Sequence, residues 1–384
     1  MGSQSNLLIT TILSFVMLEA VLSQSCFTTA GGAGQCVAPS ECPFVRKLYD
    51  VYGRNIPRQI GNQLRQMRCT GNNNDFQICC RNEATPQASN TLTTQPKVVR
   101  ATSGDINSYS RQGLQYLNSF TDCGNKGNPK LSGGIEARLG EFPWMALLKY
   151  RSDDQRPFFC GGSLISDRHV LTAAHCIIHQ PDVLAVRLGE HDLSKDEDCT
   201  ILGGYKRTCL PPSEEYEVQR VHVHPNYVHG QISYDLAVIQ LKQQVTHKSH
   251  IQPVCLPITQ SSQELKFNQD FYIAGWGKTE KQEPSNTLQK AIVTRQSLDS
   301  CRQFYNKGEV NDNHICATGE DLKHTCPGDS GSPLFIKHIF QGNYRFVQYG
   351  VVSFGGQWCG RNEHQPGVFA NVINMLPWIT QVVQ

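Results

Sequence analysis

The sixteen cysteines of this 384-residue chain fall into two groups, and this division constrains the fold more strongly than any other feature of the sequence. Ten are spread between Cys123 and Cys359, and six are crowded into residues 26–80. The crowded segment has few large apolar residues, so it needs covalent bridges in place of a core. Zinc is the alternative, but the segment has no Cys-x-x-Cys pair and no histidine, which favours disulfides. The six are Cys26, Cys36, Cys42, Cys69, Cys79 and Cys80.

An apolar segment at the start of the chain predicts secretion. Residues 7–22 read LLITTILSFVMLEAVL, and the small residues Val21 and Ser23 stand at the offsets that a signal peptidase requires. A membrane anchor is the alternative, but the segment is short for a bilayer and has no basic flanks. We therefore predict a signal peptide over residues 1–23. An even number of cysteines agrees with an oxidising, extracellular compartment.

Charge and composition exclude some partners and predict two regions after the first cysteine group. Lys and Arg number 35 against 33 Asp and Glu, a balance that gives no basis for binding nucleic acid or a membrane surface. Residues 81–110 are rich in Ser, Thr, Asn, Gln and Pro, which predicts a flexible linker. From Glu141 onward, short β-rich runs alternate with turn residues, which predicts an all-β barrel or sandwich with a helix over residues 372–383.

Three separated stretches carry the residue types of nucleophilic catalysis: LTAAHC (171–176), SYDLAVIQL (233–241) and CPGDSGSP (326–333). A serine becomes a good nucleophile when a neighbouring base takes its proton, and histidine is suited to that near neutral pH. The imidazole in turn needs a buried carboxylate that fixes its tautomer. Each residue alone is usually structural, but the joint pattern is specific. The candidates are His175, Asp235 and Ser330.

Residues 131–384 resemble a chymotrypsin-fold serine protease, and residues 26–80 resemble the clip domain of arthropod clip-domain serine proteases. TAAHC, GWG (275–277), GDSG, SFGG (353–356) and PGVFANV (366–372) occur in the family's order. In residues 26–80 the specific feature is the cysteine spacing, with two adjacent cysteines at the end of the segment.

The resemblance implies a domain order and a fold. It implies a clip domain at 24–80, a flexible linker and activation segment at 81–130, and a protease domain at 131–384. The protease fold would be two packed antiparallel β-barrels with a C-terminal helix and with the catalytic residues in the cleft between the barrels. Backbone N–H groups of Gly328 and Ser330 would form the oxyanion hole.

The resemblance also implies a disulfide pattern, which the sequence by itself leaves open. The bridge between Cys199 and Cys209 resembles the subgroup of clip proteases that activate immune effectors directly. The implied pairs are Cys26–Cys79, Cys36–Cys69, Cys42–Cys80, Cys123–Cys255, Cys160–Cys176, Cys199–Cys209, Cys301–Cys316 and Cys326–Cys359.

The stretch NPKLSGG (128–134) matches the position at which such zymogens are cut, here between Lys130 and Leu131. The new amino group would pair with Asp329 and order the oxyanion hole, because a buried charge requires a partner. The family usually begins its mature chain with Ile-Val-Gly-Gly, so Leu-Ser-Gly-Gly departs from the pattern. Ser332 also departs from it, since glycine is more frequent there; we expect activity to be kept.

His324 occupies the position at which relatives that cut after Arg or Lys have an aspartate. The predicted specificity pocket consists of His324, Thr325, Ser353, Gly355 and Gly367. A substrate cation would lack its partner there, so we predict cleavage after large neutral residues, with Glu or Asp admitted when the imidazole is protonated. The alternative is an imidazole turned aside and a broad, weak specificity.

Two stretches of the sequence are candidates for metal sites. Glu190, Asp192 and Asp198 lie in one loop and offer hard oxygen ligands for Ca²⁺, the alternative being a solvated acidic loop. In VHVH (221–224), two histidines share one side of a strand, and an ordinary strand is favoured over zinc. The proposed chemistry requires no cofactor.

Three functions compete. The first is a secreted serine endopeptidase, made as a zymogen, that relays an immune protease cascade in a haemolymph-like fluid. The second is a non-catalytic clip-domain homologue that acts as a cofactor, and the third is a disulfide-rich binding protein without enzymatic activity. The intact catalytic set favours the first. The resemblance then implies as partners an upstream activating protease, a serpin inhibitor, and zymogen substrates such as prophenoloxidase, a Toll-ligand precursor or a clotting component.

Overall fold

The chain divides into two compact units, residues 1–92 and 93–384. Several predicted features lie outside the described residues: the signal peptide, the Lys130–Leu131 bond, Gly328, the pocket floor at residues 324–325, and the Cys326–Cys359 bridge. The computed structural model describes residues 25–27, 33–42, 45–46, 64–65, 67–69, 77–81, 97–100, 108–125, 136–151, 157–178, 183–202, 205–279, 283–305, 310–319, 329–355 and 365–384.

The first unit contains a four-stranded antiparallel sheet held by disulfides. Its strands are β1 (Ser25–Phe27), β2 (Ala33–Val37), β3 (Arg68–Cys69) and β4 (Gln77–Arg81). They are ordered β1-β2-β4-β3. Because neighbouring side chains of a strand point to opposite faces, the adjacent cysteines of β4 fasten both faces of the sheet. The bridges are the three that the resemblance implied: Cys26–Cys79, Cys36–Cys69 and Cys42–Cys80.

The second unit begins with a β-barrel. The strands of this part of the unit are β5 (Lys97–Arg100), β6 (Met145–Tyr150), β7 (Phe158–Leu164), β8 (His169–Thr172), β9 (Val183–Leu188), β10 (Cys199–Leu202), β11 (Lys206–Cys209), β12 (Glu214–Val223) and β13 (Ala237–Leu241). Of these, β10 and β11 pair with each other in a separate two-stranded sheet, and β5 pairs with β12 outside the closed barrel. The barrel order is β13-β8-β7-β6-β9-β12, and β12 closes it by pairing with β13. This closure works because β12 shifts register near residue 219: its first half pairs with β9 and its second half with β13.

A second closed barrel follows, in the order β14-β15-β16-β19-β18-β17. Its strands are β14 (Asp270–Gly275), β15 (Gln289–Gln296), β16 (His314–Gly319), β17 (Pro333–Phe340), β18 (Asn343–Phe354) and β19 (Gly367–Asn371). All neighbouring strands are antiparallel. The predicted pair of antiparallel barrels is therefore confirmed.

Five helices are described: α1 (Arg111–Asn118), α2 (His175–Ile178), α3 (Gln260–Gln263), α4 (Leu298–Arg302) and α5 (Val372–Val382). The predicted C-terminal helix is α5, which begins where the Asn371 side chain accepts a hydrogen bond from the backbone N–H of Ile373. None of the helices in the described ranges has the length and apolar character needed to cross a membrane. Further bridges in this unit are Cys123–Cys255, Cys160–Cys176, Cys199–Cys209 and Cys301–Cys316, as the resemblance implied.

Part of the predicted flexible linker is regular structure, and this corrects the interpretation of residues 81–130. The segment contributes β5, which pairs in parallel with β12 of the first barrel, and forms α1, which packs against α5. The backbone N–H of Ser110 donates to Thr380 Oγ1 at 2.9 Å, and a Cβ on Gly113 would lie 1.7 Å from the Thr380 carbonyl oxygen. Leu117 is buried in the protease core. The polar composition of the segment could not predict this packing, because its partner surface is formed by Thr380, 270 positions after Ser110 in the sequence.

Candidate active site

His175 and Asp235 are brought together by the pairing of β8 with β13. His175 stands three residues after β8, and Asp235 stands two residues before β13. The His175 Nδ1–H group donates to Asp235 Oδ2 at 2.7 Å, and the His175 backbone N–H donates to Oδ1 at 2.9 Å. Burial acts to lower the pKa of His175, but the charge of Asp235 and its hydrogen bond outweigh burial, so the pKa is raised.

A third hydrogen bond reaches the same carboxylate from the second barrel. Ser353, on β18, donates its hydroxyl hydrogen to Asp235 Oδ2 at 2.6 Å and is nearly buried. The sequence interpretation placed Ser353 in the specificity pocket, and its contact with Asp235 was missed. Charge-assisted bonds of this kind are short and orient the carboxylate. Asp235 is therefore fixed by both barrels.

Tyr234, directly before Asp235, has a positive φ of 58°. An aromatic residue in this region is strained, at a cost of about 1–3 kcal/mol, and persists only where its surroundings enforce it. Here the Tyr234 ring stacks on the buried His224 imidazole, with centroids 4.7 Å apart, and His224 packs on Trp378 at 4.8 Å. Burial lowers the pKa of His224 to about 4, so this imidazole is neutral near pH 7.

In the VHVH stretch, His224 therefore has a packing role. Within the described parts of the chain, neither His222 nor His224 belongs to a group of three metal-ligating side chains.

Ser330 is anchored to the first barrel through its own backbone. Its carbonyl oxygen accepts a hydrogen bond from the Gly161 backbone N–H at 2.8 Å. The following Gly331 has a φ of 79°, and a Cβ there would lie 2.3 Å from Thr172 Oγ1. Only glycine permits this close approach, which seats the serine against the end of β8, near His175.

The described side chains of Ser330 and His175 are not joined by a hydrogen bond, and His175 Nε2 lies 3.7 Å from Cys176 Sγ. Catalytic hydrogen bonds are often long without substrate and tighten when it binds. The structure therefore shows the histidine–aspartate pair, and the approach of the Ser330 hydroxyl to Nε2 stays a prediction of the sequence.

Asp329 explains the glycines of the GWG motif. Its Oδ1 atom accepts a hydrogen bond from the Gly277 backbone N–H at 2.9 Å. A Cβ on Gly275 would lie 2.2 Å from Oδ1, and one on Gly277 would lie 2.4 Å from it. Any side chain at either position would displace the carboxylate that is predicted to bind the new N-terminus at Leu131.

Ser332, the second departure from the family pattern, is buried in the same region. It is 1% exposed, and its hydroxyl oxygen has no hydrogen-bond partner among the described residues. A Cβ on Gly161 would lie 2.2 Å from this oxygen, so the hydroxyl occupies space that the glycine leaves open. A buried hydroxyl without a partner costs free energy.

Replacing Ser332 by alanine is expected to raise the free energy of unfolding by about 1 kcal/mol, because the unpaired hydroxyl is removed. Urea unfolding of the two proteins measures the difference. Ser163→Ala is the matched control, since the buried Ser163 hydroxyl donates to Gln348 Oε1 at 2.6 Å and its loss should destabilise the fold. Equal destabilisation by both substitutions would contradict the prediction.

The acidic loop is organised by internal hydrogen bonds. Glu190 accepts from Arg187 Nη1 at 3.1 Å, and Asp192 contacts Lys195 Nζ at 2.5 Å. Asp198 accepts from two backbone N–H groups of the same loop. The three carboxylates do not meet as one ligand set within the described residues. Calcium binding by this loop therefore stays a prediction of the sequence.

Two residues of the predicted specificity pocket lie on neighbouring strands. Gly355 follows β18 directly, and Gly367 begins β19, which pairs with β18. The two positions are therefore on strands that run side by side, as the walls of one pocket require. His324 and Thr325 belong to the parts of the chain that the structure does not describe.

The molecule has two six-stranded antiparallel barrels, with a histidine–aspartate pair on the first and a serine three residues before a strand of the second. This arrangement defines the chymotrypsin-like class of fold. The family model for trypsin matches residues 131–379, and the model for the regulatory CLIP domain of proteinases matches residues 26–80. The chain belongs to the trypsin family of serine proteases and carries an N-terminal regulatory clip domain.

Curated relatives and solved structures agree with this assignment. Serine protease grass of Drosophila melanogaster is 33% identical over 373 residues, which cover 95% of this chain and 92% of the relative. Phenoloxidase-activating factor 3 of Holotrichia diomphalia is 39% identical over 270 residues, or 69% of this chain and 75% of the relative. The crystal structure of the Drosophila Grass clip serine protease of the Toll pathway is 30% identical with a TM-score of 0.63, covering 93% of this chain and 96% of that one.

Proposed function

We propose that the chain is a secreted serine endopeptidase, made as a zymogen, that is activated by cleavage after Lys130 and relays an extracellular proteolytic cascade. The observation that carries this proposal is the hydrogen-bonded pair of His175 and the buried Asp235, in a chain that also keeps Ser330, whose carbonyl oxygen is bound to Gly161 of the first barrel. A non-catalytic homologue would be expected to have lost Ser330 or another member of the set, and this chain keeps all three.

The chemistry follows from the tautomer of His175. Its Nδ1–H group is bound to Asp235, so Nε2 is the atom that takes the proton of the Ser330 hydroxyl as the oxygen attacks the substrate carbonyl. Asp235 stays ionised and stabilises the imidazolium. The backbone N–H groups of Gly328 and Ser330 would bind the oxyanion, each contributing about 10²–10³ in rate. The imidazolium then gives its proton to the leaving amine.

The relatives support a role in immunity. Their names connect one with phenoloxidase activation, one with the Toll pathway and one, from Drosophila melanogaster, with Spaetzle processing. We therefore propose that its substrates are zymogens or precursors such as prophenoloxidase or a Toll ligand. An upstream protease would activate it and a serpin would inhibit it in haemolymph-like fluid.

The test is labelling with a fluorophosphonate probe, which reacts only with an activated serine. The intact chain should not label, and the chain cut after Lys130 by a lysine-specific endopeptidase should label. Lys130→Gln should stay unlabelled after the same treatment, because the cleavable cation is gone. N-terminal sequencing should read Leu-Ser-Gly-Gly, and the Cys123–Cys255 bridge should keep both parts together on a non-reducing gel.

Lys126→Gln is the matched control, since Lys126 lies four residues upstream in the same segment. It should be activated like the unmutated chain, and Ser330→Ala should be cut without labelling. A cut chain that never labels would instead support the non-catalytic cofactor. Activation that is blocked by Lys126→Gln and not by Lys130→Gln would place the activation bond elsewhere.

A further inference from the structure

We propose that His314 is a positioning residue, which holds the catalytic Asp235 in place through the backbone carbonyl of Ile232. This inference rests on the proposed catalytic function. His314 is the first residue of β16 and is 3% exposed. Its Nε2 atom lies 3.0 Å from the Ile232 carbonyl oxygen, three residues before Asp235.

Burial lowers the pKa of His314, which favours its neutral ring. Since a carbonyl oxygen can only accept, Nε2 of the neutral ring carries the hydrogen and donates it to Ile232. Nδ1 then accepts from the Asn311 backbone N–H at 3.1 Å, and the carbonyl oxygen of Asn311 lies 3.2 Å from the same nitrogen. The Asn311 side chain donates to Ser233 Oγ at 3.2 Å, which adds a second attachment to the same segment. Two consecutive residues before Tyr234 are thus tied to one corner of β16.

The segment needs such attachments because its backbone is strained. Tyr234 takes its positive φ between Ser233 and Asp235, and a side chain of this size does not favour that conformation. On the far side, the ring of Tyr234 is stacked on His224, from the first barrel. On the side that faces the second barrel, His314 and Asn311 hold the segment through Ile232 and Ser233. Loss of the hydrogen bonds from His314 and Asn311 would let Tyr234 relax toward an unstrained φ, and this change would move Asp235.

The attachments also cross between the barrels. Asp235 precedes β13 of the first barrel, whereas His314 begins β16 and Ser353 lies on β18 of the second. Ser330 lies three residues before β17 of the same second barrel. His314 therefore ties the aspartate-bearing segment to the barrel that carries the nucleophile. A small rotation between the barrels would otherwise separate the catalytic groups.

The test compares His314→Met with His314→Gln in the chain cut after Lys130. Methionine fills similar space without a donor, whereas the glutamine amide can still donate to Ile232. The rate of fluorophosphonate labelling should fall about ten- to a hundredfold in His314→Met, since small misplacements of catalytic groups have effects of this size. His314→Gln should recover the rate to within about threefold of the unmutated enzyme.

A structural role alone would not change the pKa of His175, so this pKa is the second readout. If Asp235 moves away, the pKa of His175 falls, and the acid limb of the labelling rate moves to lower pH. The same change should be visible as a pH-dependent shift of the downfield proton of the His175 Nδ1–H group in NMR spectra. This readout needs only folded protein and serves even where labelling is slow.

His250→Met is the matched control, because His250 is 1% exposed and its Nε2 also contacts a backbone carbonyl, that of Pro212, at 3.4 Å. It should lower stability and leave the labelling rate and the acid limb unchanged. Normal labelling and an unchanged acid limb in His314→Met would overturn the inference. Absence of labelling in the unmutated cut chain would overturn the proposed function, and this inference with it.

Discussion

Asp235→Asn is expected to lower the labelling and hydrolysis rates of the activated enzyme about 10⁴-fold while leaving the fold intact. The asparagine side chain has one acceptor where the carboxylate has two. If its oxygen accepts from the backbone N–H of His175, its amide group faces Nδ1 and selects the tautomer with the hydrogen on Nε2. That tautomer cannot take the proton of Ser330.

The pH dependence provides a second readout on the same variant. In the unmutated enzyme the charge and hydrogen bond of Asp235 raise the pKa of His175 above its ordinary value. Activity requires the neutral imidazole, so it should fail on acidification at a pH above the ordinary histidine range. In Asp235→Asn the residual activity should persist to lower pH, because the stabilising charge is gone.

Asp167→Asn is the matched control for this experiment. Asp167 is a half-buried carboxylate of the first barrel that accepts a hydrogen bond from the Tyr116 hydroxyl, away from the catalytic residues. It should affect stability alone. If Asp235→Asn kept more than about a tenth of the labelling rate, Asp235 would not have the role that is proposed for it.

The second large effect concerns specificity. We expect the unmutated enzyme to cleave after large neutral residues such as Leu, Phe, Tyr or His, and we expect His324→Asp to gain cleavage after Arg by about 10²–10³. An aspartate would supply the partner that a buried substrate cation lacks beside an imidazole. The measurement is kcat/KM for a matched set of Arg, Leu, Tyr and Glu reporter peptides.

His324→Asn is the control, because it removes the imidazole without adding a charge and should gain no preference for Arg. The Glu peptide should improve at mildly acidic pH only in the unmutated enzyme, where a protonated imidazole can pair with it. Dominant cleavage after Arg by the unmutated enzyme would show that the pocket has another acidic floor. Weak cleavage of all four peptides would favour the alternative of an imidazole turned aside.

Much of the site could be predicted from sequence because local chemistry specifies it. His175, Asp235 and Ser330 stand in short motifs whose residue types are individually required for nucleophilic catalysis. The glycines of GWG and the glycine after Ser330 are also recognisable as parts of motifs, although the reason for them is tertiary, since a side chain at any of them would collide with the distant Asp329 or Thr172. The division of the cysteines into two groups likewise coincides with the division of the chain into two compact units.

The sequence by itself determined the catalytic residue types, an all-β barrel or sandwich and the C-terminal helix, since β-rich runs and motif spacing are properties of neighbouring residues. The pair of barrels followed from the resemblance to a known family. Only the tertiary structure decided what surrounds them. The hydrogen bond from Ser353 to Asp235, the contact of His314 with Ile232 and the docking of α1 on α5 join residues that lie 82 to 270 positions apart. Such contacts depend on how the barrels close and pack against each other, and no local pattern of side chains records that geometry.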